Sequence, residues 1–278
     1  MLAREIRLFF TAWMFFTCIP LPARLAAWVG YDTALMNGAA RHFPLIGLMV
    51  GVVAAGMYTL GMWLFTPMVA VALSMAATVL ATGAFHEDGF ADVCDGFGAT
   101  RDAQRVMQIM KDSRIGAFGA IGIALILLIK FTTLAGLADH DDGQFLAWIL
   151  VIGHMLSRAM PVVLIYAMQY VRPEDDARAK PMAQAISLPG LIIALVWGVA
   201  PFSGLIYYYE DGWLFALGLV PVVLAMLLMA WWFRRRIGGY TGDCLGAVQQ
   251  VTELVFYLYA LALMMQPADD SGAGNIST

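Results

Sequence analysis

The chain has 278 residues, 61% of them hydrophobic and 13% charged, with a mean hydropathy of +0.76. Soluble domains carry roughly 25% charged residues, so the composition excludes that class and predicts an all-α, polytopic membrane protein. The net charge of −4 says little about partners until the charges are sorted by side of the membrane.

Arg4, Glu5 and Arg7 open the chain ahead of an apolar run over 8–19. Ile19-Pro20-Leu21-Pro22 follows where a secretory leader would carry small residues for cleavage. The segment therefore reads as an amphipathic, interfacial or half-inserted helix. Runs of about 20 apolar residues, enough to cross a bilayer, then recur at 43–65, 68–85, 117–138, 145–171, 188–209, 213–233 and 245–266, which predicts seven spans.

Lys and Arg stay on the cytoplasmic side during insertion, and here they alternate with the spans. Arg4, Arg7, Arg24 and Arg41 precede the first; Arg101, Arg105, Lys111 and Arg114 follow the second; Arg172, Arg178 and Lys180 follow the fourth; Arg234, Arg235 and Arg236 follow the sixth. The segments 139–143, 210–212 and 267–278 hold acids and no Lys or Arg. This places the N-terminus and the acidic stretch that follows the second span on the cytoplasmic side and the C-terminus on the opposite side. Residues 1–266 read as one integral-membrane catalytic domain and 267–278 as a disordered polar tail. Cys18, Cys94 and Cys244 have no ligand spacing, which argues against disulfides and a zinc site.

After the second span comes Phe85-His-Glu-Asp-Gly-Phe-Ala-Asp-Val-Cys-Asp-Gly-Phe-Gly98, with Glu87, Asp88, Asp92 and Asp95 in nine residues. At helical spacing Asp88, Asp92 and Asp95 share one face while Phe90, Val93 and Phe97 point the other way. Crowded carboxylates repel and raise one another's pKa unless a cation neutralises them. A hard divalent ion with oxygen ligands, Mg2+ above all, suits such a set; a solvated acidic loop is the plain alternative, against which the glycines and the hydrophobic back face argue. Gly89, Gly96 and Gly98 remove side chains beside the acids and let a large substrate approach the backbone.

Lys111-Asp112-Ser113-Arg114 lies just before the next span. Cations beside a carboxylate-bound metal point to a phosphate or diphosphate bridging the two, although Lys111 and Arg114 could serve topology alone. A second glycine-rich stretch, Arg236-Ile-Gly-Gly-Tyr-Thr-Gly-Asp-Cys-Leu-Gly246, precedes the last span on the same side. Thr241 or Asp243 can cap that helix, whose free N–H groups favour an anion; an ordinary turn fits equally well. Within the spans, Lys130, His154, Arg158 and Glu253 are ionisable and costly in hydrocarbon unless paired or functional. Arg158, followed by Met160-Pro161, is the best functional candidate, because a proline-broken helix would open it to a cytoplasmic cavity.

These motifs, with the early Phe16-Thr-Cys-Ile-Pro-Leu-Pro22 and with Arg41-His-Phe-Pro-Leu-Ile-Gly47, resemble the cobalamin synthase family, the adenosylcobinamide-GDP ribazoletransferases, in order and over nearly the whole chain. The resemblance implies a Mg2+-dependent inner-membrane phosphotransferase late in vitamin B12 assembly. A hydroxyl of α-ribazole, or of its 5′-phosphate, attacks the diphosphate of adenosylcobinamide-GDP and GMP leaves. It implies that Asp88, Asp92, Asp95 and Asp243 carry the chemistry, with Glu87, Asp88, Asp92, Asp95 and Asp112 as metal ligands. Arg41, Lys111, Ser113, Arg114, Arg158, Gly239, Thr241 and Gly242 would then bind substrate. The implied partners are those two substrates and membrane lipids, with no nucleic acid, and a homo-oligomer or a complex with other late cobalamin-assembly enzymes is compatible. The acids also partly resemble the CDP-alcohol phosphatidyltransferases. Asp92-Val-Cys-Asp95-Gly96-Phe-Gly-Ala99 matches the first half of that pattern, but Thr100 replaces its arginine and Gly116 its last acid. A phospholipid synthase is thus the nearest alternative; a cation transporter is a more distant one.

Overall fold

A computed structural model of the chain describes residues 2–30, 33–140, 144–171 and 183–266. The basic residues Arg172, Arg178 and Lys180, the acidic turn 141–143 and the tail 267–278 lie outside the described residues. The fold is all-α. Among the described residues six helices are long and apolar enough to cross a membrane, or seven if one bent pair counts as a span. The protein is accordingly a multi-pass membrane protein.

The chain begins with α1 (Leu2–Phe16), α2 (Ala23–Val29) and α3 (Thr33–Ala39), which lead through a 3-10 turn into α4 (Phe43–Leu64). Leu8, Thr11, Ala12 and Phe16 are the buried face of α1, so this helix is amphipathic as its sequence predicts. Pro67 opens α5 (Pro67–Thr82), a position where proline loses no intrahelical bond. Gly83 and Ala84 then both take left-handed backbone, at φ 65° and 56°. They turn the chain by 88° into α6 (Phe85–Ala99). The predicted second span therefore ends at this corner, and the acidic helix is a separate element held across the end of the bundle.

After α7 (Ala103–Ile109) come α8 (Ala117–Ala138), α9 (Phe145–Ala167), α10 (Leu188–Val199), α11 (Phe202–Tyr208), α12 (Gly212–Ala216), α13 (Leu219–Ile237) and α14 (Gly242–Met264). Two of these make the core: 83% of the α9 span and 56% of the α14 span are buried, against 22–39% for the others. The outer helices keep apolar stripes on the surface at helical spacing, such as Ile121, Leu125 and Leu128 on α8 and Val220, Leu224 and Leu228 on α13. Such stripes suit lipid contact.

Small residues set how closely the core helices approach. A Cβ on Gly47 of α4 would stand 2.3 Å from the His154 carbonyl oxygen, and one on Gly51 would stand 2.8 Å from the Val151 Cα. Ser74 of α5 donates to the Ala54 carbonyl of α4 at 2.8 Å, satisfying a hydroxyl that lipid could not. The proline in α9 does not break it: the helix runs through Pro161, and Arg158 is buried at 4% exposure. The expectation of a proline-broken helix is corrected on this point: α9 stays continuous, and 83% of its span is buried among its neighbours.

Candidate active site

The acidic face of α6 lies where the N-termini of α8 and α14 converge. On the α8 side, Asp95 accepts hydrogen bonds from Gly116 N at 2.6 Å and Gly119 N at 2.7 Å. The carboxylate, 7% exposed, thus occupies the anion-favouring start of α8. Side chains at 116 and 119 would fall 2.5 Å and 2.3 Å from its oxygens, so both positions require glycine. On the α14 side, a Cβ at Gly89 would stand 3.0 Å from Asp243 Cα and from Asp243 O. The strip of α6 between those two contacts carries Asp88, which is exposed, and Asp92, which is half-buried.

Thr241 caps α14: its Oγ1 accepts from Cys244 N at 3.4 Å and donates to Asp243 Oδ2 at 3.3 Å. Asp243 is thereby held in the first turn of α14, beside α6. Gly242 is buried at the start of the same helix. Gly239 has a different task, since a Cβ there would lie 2.1 Å from the Gln169 carbonyl oxygen. Its neighbour Tyr240 pairs with the segment after α9, donating to Gln169 O at 3.0 Å and accepting from Val171 N at 3.1 Å. This short bridge pins the loop that delivers Thr241 and Asp243. Burial pushes the Tyr240 phenol above its ordinary range.

The loop before α8 brings its own pair together. Arg114 grips Asp112 with two nitrogens, Nη2 to Oδ2 at 2.6 Å and Nε to Oδ1 at 3.0 Å. That guanidinium holds the exposed Asp112 carboxyl down to about 2. Its folded value is depressed, so the pairing is intact above the ordinary carboxylate range and is lost only as pH falls toward 2. Lys111 and Ser113 are exposed on the same loop. Arg41 is placed otherwise: it bonds Glu5 Oε1 at 3.2 Å and the Gly38 carbonyl at 3.0 Å, tying α1 to the entry of α4.

Glu87 turns away from the other acids and into the bundle. Its Oε1 accepts from Gln250 at 3.0 Å, and Gln250 in turn accepts from Lys130 at 2.8 Å. Lys130 and His154 reach the two oxygens of Glu253 at 3.1 Å and 3.4 Å. Gln249 bonds Glu253 and Ser157. Sequence alone left the partner of Glu253 open; it is Lys130 with His154, while Arg158 donates to the His154 carbonyl at 3.1 Å. Gln249 and Gln250 escaped notice in the sequence, although two amides one turn before Glu253 in an apolar span are a signal. Arg236, which the sequence marks only as a cytoplasmic charge, donates to the Phe97 carbonyl at 3.0 Å and to that of Thr100, capping the end of α6.

Among the described residues no group of three His, Cys, Asp or Glu side chains could hold a metal ion. A closed cage of protein acids therefore does not fit: Asp95 is turned to backbone N–H groups, Asp112 to Arg114 and Glu87 to Gln250. Asp88 and Asp92, one helical turn apart, do fit the open mode in which Mg2+ takes one or two carboxylates and completes its shell with substrate phosphates and water.

The profile of the cobalamin-5-phosphate synthase family matches residues 8–262. Among curated proteins, the adenosylcobinamide-GDP ribazoletransferase of Leptothrix cholodnii is 45% identical over 94% of this chain and 97% of its own length. The proteins of the same name from Polaromonas sp. and Shewanella amazonensis are 44% and 43% identical, over 92% and 95% of this chain and 97% and 98% of their own. No solved structure gives a significant match.

Proposed function

Because this chain belongs to the cobalamin-5-phosphate synthase family, we propose that the acidic groove between α6, α8 and α14 joins adenosylcobinamide-GDP to a ribazole. The protein is a transferase of late cobalamin biosynthesis, and neither a phospholipid synthase nor a cation transporter is favoured by its relatives. The observation that carries the site is the meeting of Asp88 and Asp92 with the capped N-terminus of α14 across the Gly89–Asp243 contact.

In this reading the groove binds the diphosphate end to end. The positive end of α14, at Thr241 and Gly242, attracts phosphate oxygens, and Lys111, Ser113 and Arg114 add positive charge and donors from the loop before α8. Asp88 and Asp92 would hold Mg2+, which when bound neutralises charge on the diphosphate. Asp243 accepts the proton of the attacking ribazole hydroxyl. The hydroxyl oxygen bonds to the phosphorus that carries the cobinamide, the bond to the bridging oxygen breaks, and GMP departs with that oxygen. Asp95 acts as a positioning residue that locks α6 to α8. The groove faces the cytoplasm of an inner membrane, with the N-terminus on the same side, as the charge pattern supports.

The test uses protein reconstituted in lipid, with adenosylcobinamide-GDP and α-ribazole or its 5′-phosphate, and follows GMP and corrinoid product together. GMP is expected in equal amount with product, to stop on chelation and to resume with added Mg2+. A rate indifferent to the chelator would remove the metal from this reading, and absence of both products would remove the site.

A further inference from the structure

We infer that the C-terminal end of α13, together with the loop that enters α7, is a binding surface for an anionic phospholipid. The inference goes beyond the transferase reading and does not depend on it.

The surface begins as an apolar stripe. Val220, Leu224, Leu227, Leu228 and Trp231 are all exposed, and their spacing of three and four puts them on one face of α13. From Val220 to Trp231 the helix rises about 16 Å, close to half of a hydrocarbon core about 30 Å thick. The stripe therefore matches one acyl chain lying within one leaflet. Arg234 and Arg235, both exposed, stand on the next turn of the same face, and the Arg235 guanidinium sits over the Trp231 ring at 4.9 Å. An indole beneath a cation suits the level where hydrocarbon gives way to headgroups.

Tertiary structure enlarges the charge at that level. Arg236 donates to the Phe97 and Thr100 carbonyls and stands over the Phe97 ring at 4.9 Å, so the end of α6 is drawn against the end of α13. Arg101 follows Thr100 directly, and Arg105 lies in the first turn of α7, which packs against α13. Both are exposed. No acid lies on α13, and Asp102, the acid of this loop, caps α7 by accepting from Arg105 N at 2.7 Å. Among the described residues, none of Arg101, Arg105, Arg234 and Arg235 has an ion-pair partner.

The occupant that fits is a phospholipid with net negative charge. Guanidinium groups without counter-charges at the membrane boundary favour a phosphate, which each can grip through two nitrogens, and the stripe beneath takes the acyl chain. A zwitterionic lipid brings a cation of its own to the same patch. A second copy docked here on a two-fold axis would set these arginines against one another, and a soluble phosphate would leave the stripe unused.

The test is tryptophan quenching in nanodiscs of phosphatidylcholine, with brominated phosphatidylglycerol or brominated phosphatidylcholine as the minor lipid. The part of the quenching that disappears in Trp231→Phe reports this face. Each arginine near a membrane surface is worth about fivefold in favour of an anionic lipid. Wild type is therefore expected to reach half of that quenching at a mole fraction of brominated phosphatidylglycerol roughly 10-fold or more below that of brominated phosphatidylcholine. Arg234→Gln with Arg235→Gln should cut this preference by at least about fivefold. Arg101→Gln with Arg105→Gln should lower it in the same direction, and keeps the test open if the first pair does not fold. Equal mole fractions in wild type would reveal an unselective lipid annulus and overturn the site, as would a preference unchanged in either pair. Displacement by soluble glycerophosphate at matched ionic strength, as effective as displacement by the lipid, would overturn it in favour of a free-anion site. No turnover enters these measurements, so their failure leaves GMP release to be judged separately.

Discussion

Asp95 and Asp88 differ by seven positions and have opposite fates. Asp95 is turned inward onto two backbone N–H groups of α8, whereas Asp88 stays at the surface of the groove. Asp95→Asn replaces an accepting oxygen by an amide that points a donor at a donor, a change costing about 1–3 kcal/mol. Its apparent melting temperature in detergent is expected to fall. Asp88→Asn should melt like wild type and instead raise the Mg2+ concentration for half-maximal GMP release by at least about tenfold, since even outer-shell losses cost 10- to 100-fold. An unchanged melt for Asp95→Asn, or an unchanged Mg2+ requirement for Asp88→Asn, would contradict these assignments. Both aspartates sit on a helical face that is legible in the sequence. What separates them is the pair of N–H groups 21 and 24 residues further on, which no local pattern reveals.

At the level of helices, α8, α9 and α14 are joined through buried polar side chains as well as apolar packing. Lys130 and Glu253 are 5% and 3% exposed and lie 3.1 Å apart. Removing one member of such a pair leaves the other charge without its partner and costs about 3–5 kcal/mol, whereas replacing both with apolar residues is far milder. Glu253→Leu is therefore expected to destabilise the protein strongly, and Lys130→Met in the same chain to recover much of the loss, as read by thermal inactivation in bicelles. A double variant no better than the single would mean that His154 and Gln249, the other partners of Glu253, carry the junction. The same chain of contacts reaches α6 through Gln250 and Glu87, so the helix that bears the groove's acids is anchored to the bundle interior as well as to its surface.

For the whole molecule, the proposed sidedness rests on charge. Arg101 and Glu210, both exposed, lie in segments assigned to opposite faces of the membrane. In a background lacking Cys18, Cys94 and Cys244, a cysteine at 210 is expected to react with an impermeant maleimide on intact spheroplasts. One at 101 should react only after lysis. The reverse pattern would turn the groove to the other side of the membrane and remove it from cytoplasmic substrates.

The spans were legible because each is a local run of apolar residues, and the acidic face of α6 because 3.6-residue periodicity is local too. The cap at Thr241 could be read for the same reason, as it answers N–H groups two or three places along the chain. Only tertiary structure decided which acids are committed elsewhere, because their partners are distant in sequence: Glu87 finds Gln250 across 163 residues, and Arg236 reaches back to the end of α6. It also decided that the second predicted span stops at Gly83 and that α6 turns by 88° from α5. Composition tells which residues leave water, but the partner of each buried polar group is settled by the helices that pack against it.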